Sequence, residues 1–155
     1  VLGDATALPF DDGAFDLVVA FHSLTDIDDM PRALREAARV LEPGGRLGVC
    51  VPHPFADAGA FESLDPDAAF VVRGRYLGER QRSYIPVERD GLAFTFEGWQ
   101  QPLEAYARAL EDAGFLIEAL REPVPDPTLF TRPSVARWTR VPMFLYLRGE
   151  AVKPL

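Results

Sequence analysis

The chain has 155 residues, about one domain's worth, and 48% of them are hydrophobic, which sets intrinsic disorder aside. Sixteen basic against twenty-four acidic side chains leave a net charge of −8, a balance that argues against nucleic acid or an anionic membrane surface as partner and serves solubility. A single cysteine, Cys50, permits no internal disulfide, no apolar run nears the roughly 18 residues of a membrane span and no secretory leader opens the sequence, so a reducing, cytoplasmic setting is expected.

Phe15–Phe21, FDLVVAF, is a continuous apolar run of the kind that forms a strand buried on both faces of a parallel sheet. Asp28 and Asp29 then offer helix caps, and Pro31 suits a first turn. Leu34, Ala37, Ala38 and Leu41 recur at helical spacing, so one face is apolar, while Arg32, Arg35, Glu36 and Arg39 are expected in solvent. Glu42–Gly45, EPGG, ends the helix, and RLGVCV is a second buried strand. Strand, helix and strand joined by short links predict a right-handed crossover.

From residue 53 to residue 98 helical periodicity disappears, and this stretch reads as an insertion that covers something within a single domain spanning residues 1–155. Asp90-Gly91, between two extended runs, signals a β-hairpin, and Pro86 puts its strand at an edge. Helical spacing returns at Leu103, Tyr106, Ala107 and Leu110, with Pro102 at the start and Gly114 at the stop. Phe115–Pro123 is the next strand, a proline-rich link runs from Pro123 to Pro133, and MFLYLRG is the last strand. The final two strands are expected to pair antiparallel at one edge of the sheet. The fold class is therefore α/β.

Taken in order, these segments resemble the second half of a class I S-adenosylmethionine-dependent methyltransferase of the type 11 small-molecule group. GDATALPFDDGAFDLVVAF is similar to that family's passage from third to fourth strand, and ALREAARVLEPGGRLGVCV to the following helix and fifth strand. QPLEAYARALEDAGFLIEALREP is similar to the last helix and sixth strand, and MFLYLRG to the seventh. The resemblance implies a partial Rossmann-like sheet, with strands 4 and 5 parallel and 6 and 7 antiparallel at the edge. It implies S-adenosyl-L-methionine as cofactor and a small-molecule methyl acceptor. The family's glycine-rich loop has no counterpart: LEPGGRLG closes a helix and enters a strand, the reverse of a cradling loop. The expectation is a fragment lacking the first two strands, whose strand Phe15–Phe21 shows a bare apolar edge.

The sulfonium donor is already activated, so holding and positioning groups are expected in place of an elaborate catalytic cluster. By resemblance, Asp4 accepts from the adenine amine, the Ala5 N–H donates to the adjacent ring nitrogen, and Leu8 packs on the base. Read from the residues alone, Asp4 is a turn or cap residue. Phe21 and His22 follow the fourth strand, where open α/β sheets bind ligands. His22 is a candidate base or acceptor contact, against the alternative of a structural strand-end residue. Many family members carry a histidine pair where this chain has Thr25 and Asp26. His53 faces the acceptor or is a turn residue before Pro54. Tyr84 and Trp99 line the acceptor pocket or form hairpin core. Two histidines and one cysteine lie too far apart in sequence for a metal site, and no nucleophile elbow or P-loop appears.

A competing expectation is non-catalytic. In it the chain is a truncated Rossmann-like unit that self-associates, as a homodimer through its exposed edge strand, and does not bind the cofactor productively by itself.

Overall fold

A computed structural model describes residues 1–89, 91–126, 128 and 133–152. Asp90 of the expected hairpin turn and part of the proline-rich link (residues 127 and 129–132) lie outside the described residues. The elements run β1 (Phe15–Phe21), α1 (Met30–Val40), β2 (Leu41–Pro52), α2 (Pro54–Asp57), β3 (Gly59–Phe61), β4 (Phe70–Val72), β5 (Gln81–Arg89), β6 (Leu92–Gln100), α3 (Leu103–Asp112), β7 (Phe115–Arg121), a 3-10 turn (Pro133–Thr139) and β8 (Phe144–Ala151).

Four strands make the central sheet in the order β1-β2-β8-β7. β1 runs parallel to β2, with Val19 opposite Gly48 and Phe21 opposite Cys50. β8 is antiparallel to both β2 and β7, with Cys50 opposite Tyr146 and Leu120 opposite Leu147. The expected pairing of the last two strands therefore holds, with β8 inserted between β2 and β7.

α1 starts where its sequence says it should: the Asp29 carboxylate accepts from the Arg32 N–H at 3.0 Å, and a proline occupies the first turn. Its buried stripe is Met30, Ala33, Leu34, Ala37 and Val40. Leu41 already belongs to β2, where it pairs with Phe15. The EPGG segment thus does not cap the helix. It sits inside β2, where the register shifts and Gly44 takes the left-handed conformation at φ +80°. Any Cβ on Gly45 would lie 2.9 Å from the Glu42 carbonyl oxygen, so the bulge has room for glycine alone. α3 stops as expected, with Gly114 at φ +83°.

α1 and α3 pack on one face of the sheet, and the core lies between them: Leu34, Leu41, Leu47, Val51, Leu110 and Leu145 are essentially sealed from solvent. The other face is open, which corrects the expectation that Phe15–Phe21 is buried on both faces: both long helices lie on one side, and among the described residues no second layer covers the other. Leu17, Val19 and Phe21 alternate along β1 on that side and are 55%, 64% and 65% exposed. β1 is also the outermost strand, so both its edge and one face are bare.

Between β2 and α3 the chain leaves the central sheet. β3 and β4 form a short antiparallel pair, and β5 and β6 a hairpin in register from Gln81–Gln100 to Arg89–Leu92. The aromatic residues of the hairpin do not form a core of its own: Tyr84, Phe94 and Phe96 are exposed. Among the described residues no helix is long and apolar enough to cross a membrane.

Candidate functional site

The carboxyl ends of β1 and β2 lead into the turn after β1 and, further along the chain, the base of the hairpin, and the 4–13 loop runs alongside α1 before entering the amino end of β1. Three α1 side chains hold the loop from the start of the helix onward. Arg32 donates to the Thr6 carbonyl at 2.9 Å, in the first turn of the helix. A helical turn later, the Glu36 carboxylate accepts from the Leu8 N–H at 2.7 Å. Arg39 adds all five of its N–H groups: two on Glu36, one on Asp12, and one each on the Leu8 and Phe10 carbonyls. The loop therefore descends alongside α1 and leaves Asp4 and Ala5 beyond the helix N-terminus, at the carboxyl rim of the sheet.

This corrects the expectation that Glu36 and Arg39 are solvated. The loop covers that side of the helix, and the guanidinium is spent on its backbone. Paired with Arg39 and bonded to Leu8, Glu36 has its carboxyl held down at about 2.

Asp4 sits in a turn, as its residue type allows: its Oδ1 accepts from the Thr6 N–H at 2.8 Å and from the Thr6 hydroxyl at 2.9 Å, which lowers its pKa. Its Oδ2 has no hydrogen-bond partner among the described residues, and neither does the Ala5 N–H. An acceptor oxygen and a donor N–H thus stand on consecutive residues, each without a protein partner among the described residues. The turn uses one carboxylate oxygen and leaves the other without a partner among the described residues.

His22 leaves β1 with φ +51°, a left-handed conformation that a side chain rarely adopts. Its N–H donates to the Cys50 carbonyl at 2.8 Å, and its ring meets Phe21 and Phe144 edge-on at 4.6 and 5.2 Å. Nε2 is 3.6 Å from the Cys50 sulfur.

The hairpin is tied to the turn after β1. The Trp99 N–H donates to the Thr25 carbonyl at 2.7 Å, and the Trp99 indole donates to the Asp28 carboxylate at 3.0 Å. Arg82 pairs with the same carboxylate at 2.9 Å. Arg80 and Arg82 stack on the Trp99 ring at 3.6 and 4.2 Å. Under this bridge lies a cavity of about 510 Å³, bordered by His22, Asp26, Asp57, Ile85, Phe96 and Phe144 among others. Asp57 closes α2. Its carbonyl accepts from Gln100 at 2.8 Å, and its carboxylate has no hydrogen-bond partner among the described residues. Burial pushes that carboxyl up to about 6.

His22 and Trp99 thus border the same cavity, although the Trp99 indole is committed to Asp28 and the two arginines. Tyr84 is not at the cavity. It pairs with Glu97 and is 62% exposed, whereas Ser83 and Ile85, its neighbours in sequence, project to the opposite, cavity-bordering side of the hairpin. His53 is not at the cavity either. It is 4% exposed, its Nδ1 accepts from the Phe55 N–H at 3.1 Å to cap α2, and its Nε2 stands 2.9 Å from the Glu122 carboxylate without hydrogen-bond alignment. Desolvation lowers its pKa, against the opposing pull of Glu122. Asp57 escapes sequence reasoning altogether; a lone aspartate in an irregular stretch carries no periodic signal. Among the described residues no three histidine, cysteine or acidic side chains group to hold a metal.

Residues 1–49 match the family described as a methyltransferase domain. Over 50 residues the chain is 58% identical to a demethylmenaquinone methyltransferase of Mycolicibacterium gilvum, a match that takes in 32% of this chain and 22% of the relative. The chain therefore matches only about a fifth of that relative's length. In three dimensions the likeness extends much further. An S-adenosylmethionine-dependent methyltransferase from Mesorhizobium loti superposes with a TM-score of 0.72 at 24% identity, over 96% of this chain and 67% of that one. This is the fold of the S-adenosylmethionine-dependent methyltransferases. The arrangement of the chain is thus common to this protein and that structure. The same methyltransferase fold is found in the [4+2]-cyclase SpnF, which matches with a TM-score of 0.58 at 21% identity, over 99% of this chain and 56% of that one.

Proposed function

We propose that this chain forms the acceptor side of an S-adenosylmethionine-dependent methyltransferase acting on a small molecule. The observation that carries the reading is the convergence, on one sheet rim, of a paired donor and acceptor at Ala5 and Asp4 with the cavity beside His22. Ligands bind at this rim in open α/β sheets. The residues fit the cofactor: Asp4 Oδ2 takes the adenine amine, the Ala5 N–H takes the neighbouring ring nitrogen, and Leu8 and Phe21 flank the group. When bound, S-adenosylmethionine supplies a methyl group on a cationic sulfur that is already a good leaving group.

The work left to the chain is positioning and exclusion of water. The hairpin bridge covers the cavity. His22, fixed between Phe21 and Phe144, orients an acceptor at its mouth. The experiment is an amide NMR titration with S-adenosylhomocysteine. The reading requires shifts at Ala5, Thr6 and His22; shifts confined to β1 residues such as Leu17 and Val19, or none at millimolar ligand, overturn it.

A second reading has its own observation. Leu17, Val19 and Phe21 are exposed on a strand with an unpaired edge, which favours association with another strand, including that of a second copy. Sedimentation across a hundredfold concentration range tests it, with Val19→Lys as the variant expected to keep the chain monomeric.

A further inference from the structure

The family match ends at residue 49, whereas most of the cavity wall comes from later in the chain: Asp57, Ile85, Phe96 and Phe144. The acceptor is therefore read from the cavity itself. Its walls combine exposed aromatic and aliphatic surface with carboxylates, and no lysine or arginine borders it. The nearest cations are committed elsewhere: Arg82 to Asp28, and both Arg80 and Arg82 to the Trp99 ring. Asp57 is the decisive group. Its backbone is bonded on both sides, by its N–H to the His53 carbonyl at 3.1 Å and by its carbonyl to Gln100. Its carboxylate, set below the hairpin, is left without a partner among the described residues. A half-buried carboxylate without a partner is costly unless a ligand completes it. Asp26 also borders the cavity, and Phe96 and Phe144 supply ring surface. A carboxylate beside aromatic rings is the chemistry that holds an ammonium group.

We infer that the cavity binds a flat, largely apolar molecule carrying a protonatable amine, with Asp57 as the carboxylate that pairs with it. The inference rests on the proposed reading of the site as the acceptor side of a methyltransferase, and it adds the acceptor's chemical class. Anionic acceptors are turned away by Asp57 and Asp26. Neutral ones fill the aromatic part of the cavity and leave Asp57 unpaired.

Three probes of one size test this by calorimetric titration of the chain at pH 8: 2-naphthylmethylamine, 2-naphthalenemethanol and 2-naphthoate. The amine is expected to bind at least tenfold more tightly than the alcohol, and 2-naphthoate more weakly than either. Asp57→Asn is expected to bring amine and alcohol within about threefold of each other without weakening the alcohol. Phe96→Leu, at an exposed position, is expected to weaken both. Equal or tighter binding of 2-naphthoate, an amine preference that survives Asp57→Asn, or no binding of any probe at millimolar concentration overturns the inference. The S-adenosylhomocysteine titration is independent of these outcomes. Shifts at Ala5 alongside failed probe binding would leave the methyltransferase reading standing and remove only the acceptor class.

Discussion

Trp99 and Asp28 are joined by a hydrogen bond of 3.0 Å from indole to carboxylate, and this bond fastens the hairpin to the turn that follows β1. Arg82 reaches the same carboxylate, so one side chain anchors two residues that face each other across the hairpin. Asp28→Ala is expected to release the hairpin base while leaving the central sheet intact. Hydrogen exchange should rise through β5 and β6 and stay unchanged in β2 and β8. Equal protection in variant and parent would show that the Thr25–Trp99 backbone bond suffices.

Gly98 lies against the same turn. A Cβ there would stand 3.2 Å from the Thr25 carbonyl oxygen, tighter than ordinary contact. Gly98→Val is expected to push the hairpin away from Thr25 and weaken 2-naphthylmethylamine binding at least tenfold. The change in Tm should be small, because the central core takes no part. Unchanged affinity would mean that the hairpin shifts without disturbing the cavity.

Asp57 opposes stability for the sake of the site. Its folded-state pKa is raised from 3.8 to about 6, so the folded protein holds this proton more tightly than the unfolded chain. The stabilising share is full below about pH 3.8 and is lost as the pH rises through about 6. Each tenfold gain in proton affinity is worth about 1.4 kcal/mol, and solvent in the cavity screens part of it, so the ionised group costs on the order of 2 kcal/mol at pH 8. Asp57→Asn should therefore be more stable than the parent at pH 8, with the advantage gone near pH 4. Urea titrations at the two values measure it, and a variant less stable at pH 8 contradicts the assignment.

Glu36 runs the other way. Its carboxyl is held at about 2 against an ordinary 4.5, so its contribution is present above pH 4.5 and is lost as the pH falls through about 2. Glu36→Gln keeps the shape but removes the charge facing Arg39. It is expected to cost about 1 kcal/mol at pH 7 and nothing near pH 2. It should also broaden the amide signals of residues 4–12. Retention of sharp signals there would show that Arg39 alone holds the loop.

His22 stores backbone strain at φ +51°. His22→Gly relieves it, whereas His22→Ala keeps it, so the glycine variant is expected to be about 1 kcal/mol more stable than the alanine variant. Equal stabilities in denaturant titration would show that the conformation costs nothing here.

The sheet and its helices are legible in the sequence because their signals are local. The stripe through Leu34 and Ala37 reports an element and its buried side; the apolar run at Phe15–Phe21 reports the strand but not its burial, because a continuous run looks the same whether one face or both are covered. The Asp4 turn is legible for the same reason. The Arg39 cluster is not: its carbonyl partners lie 29 and 31 residues back, and an arginine on a helix looks solvated until the chain is folded over it. The same holds for the Asp28 bridge to a tryptophan 71 residues later. EPGG misleads because a glycine pair after a helix signals a cap and a bulge equally well. The pairing of Phe15 with Leu41, a contact between strands, makes the choice. His53 looks like a rim residue from its position just past a strand. Pro54 marks the α2 cap locally, but the other part of the surroundings of His53, Glu122, lies far along the chain and leaves no mark in the sequence nearby.

The way α1 holds the 4–13 loop has an evolutionary consequence. Thr6, Leu8 and Phe10 are gripped by main-chain atoms, from a helix that keeps its own place in the core. The side chains of Leu8 and Phe10 are thereby released from bonding to α1, unlike that of Asp12, whose carboxylate pairs with Arg39. Selection can exchange them, and so retune what the rim recognises, while the scaffold beneath stays as it is.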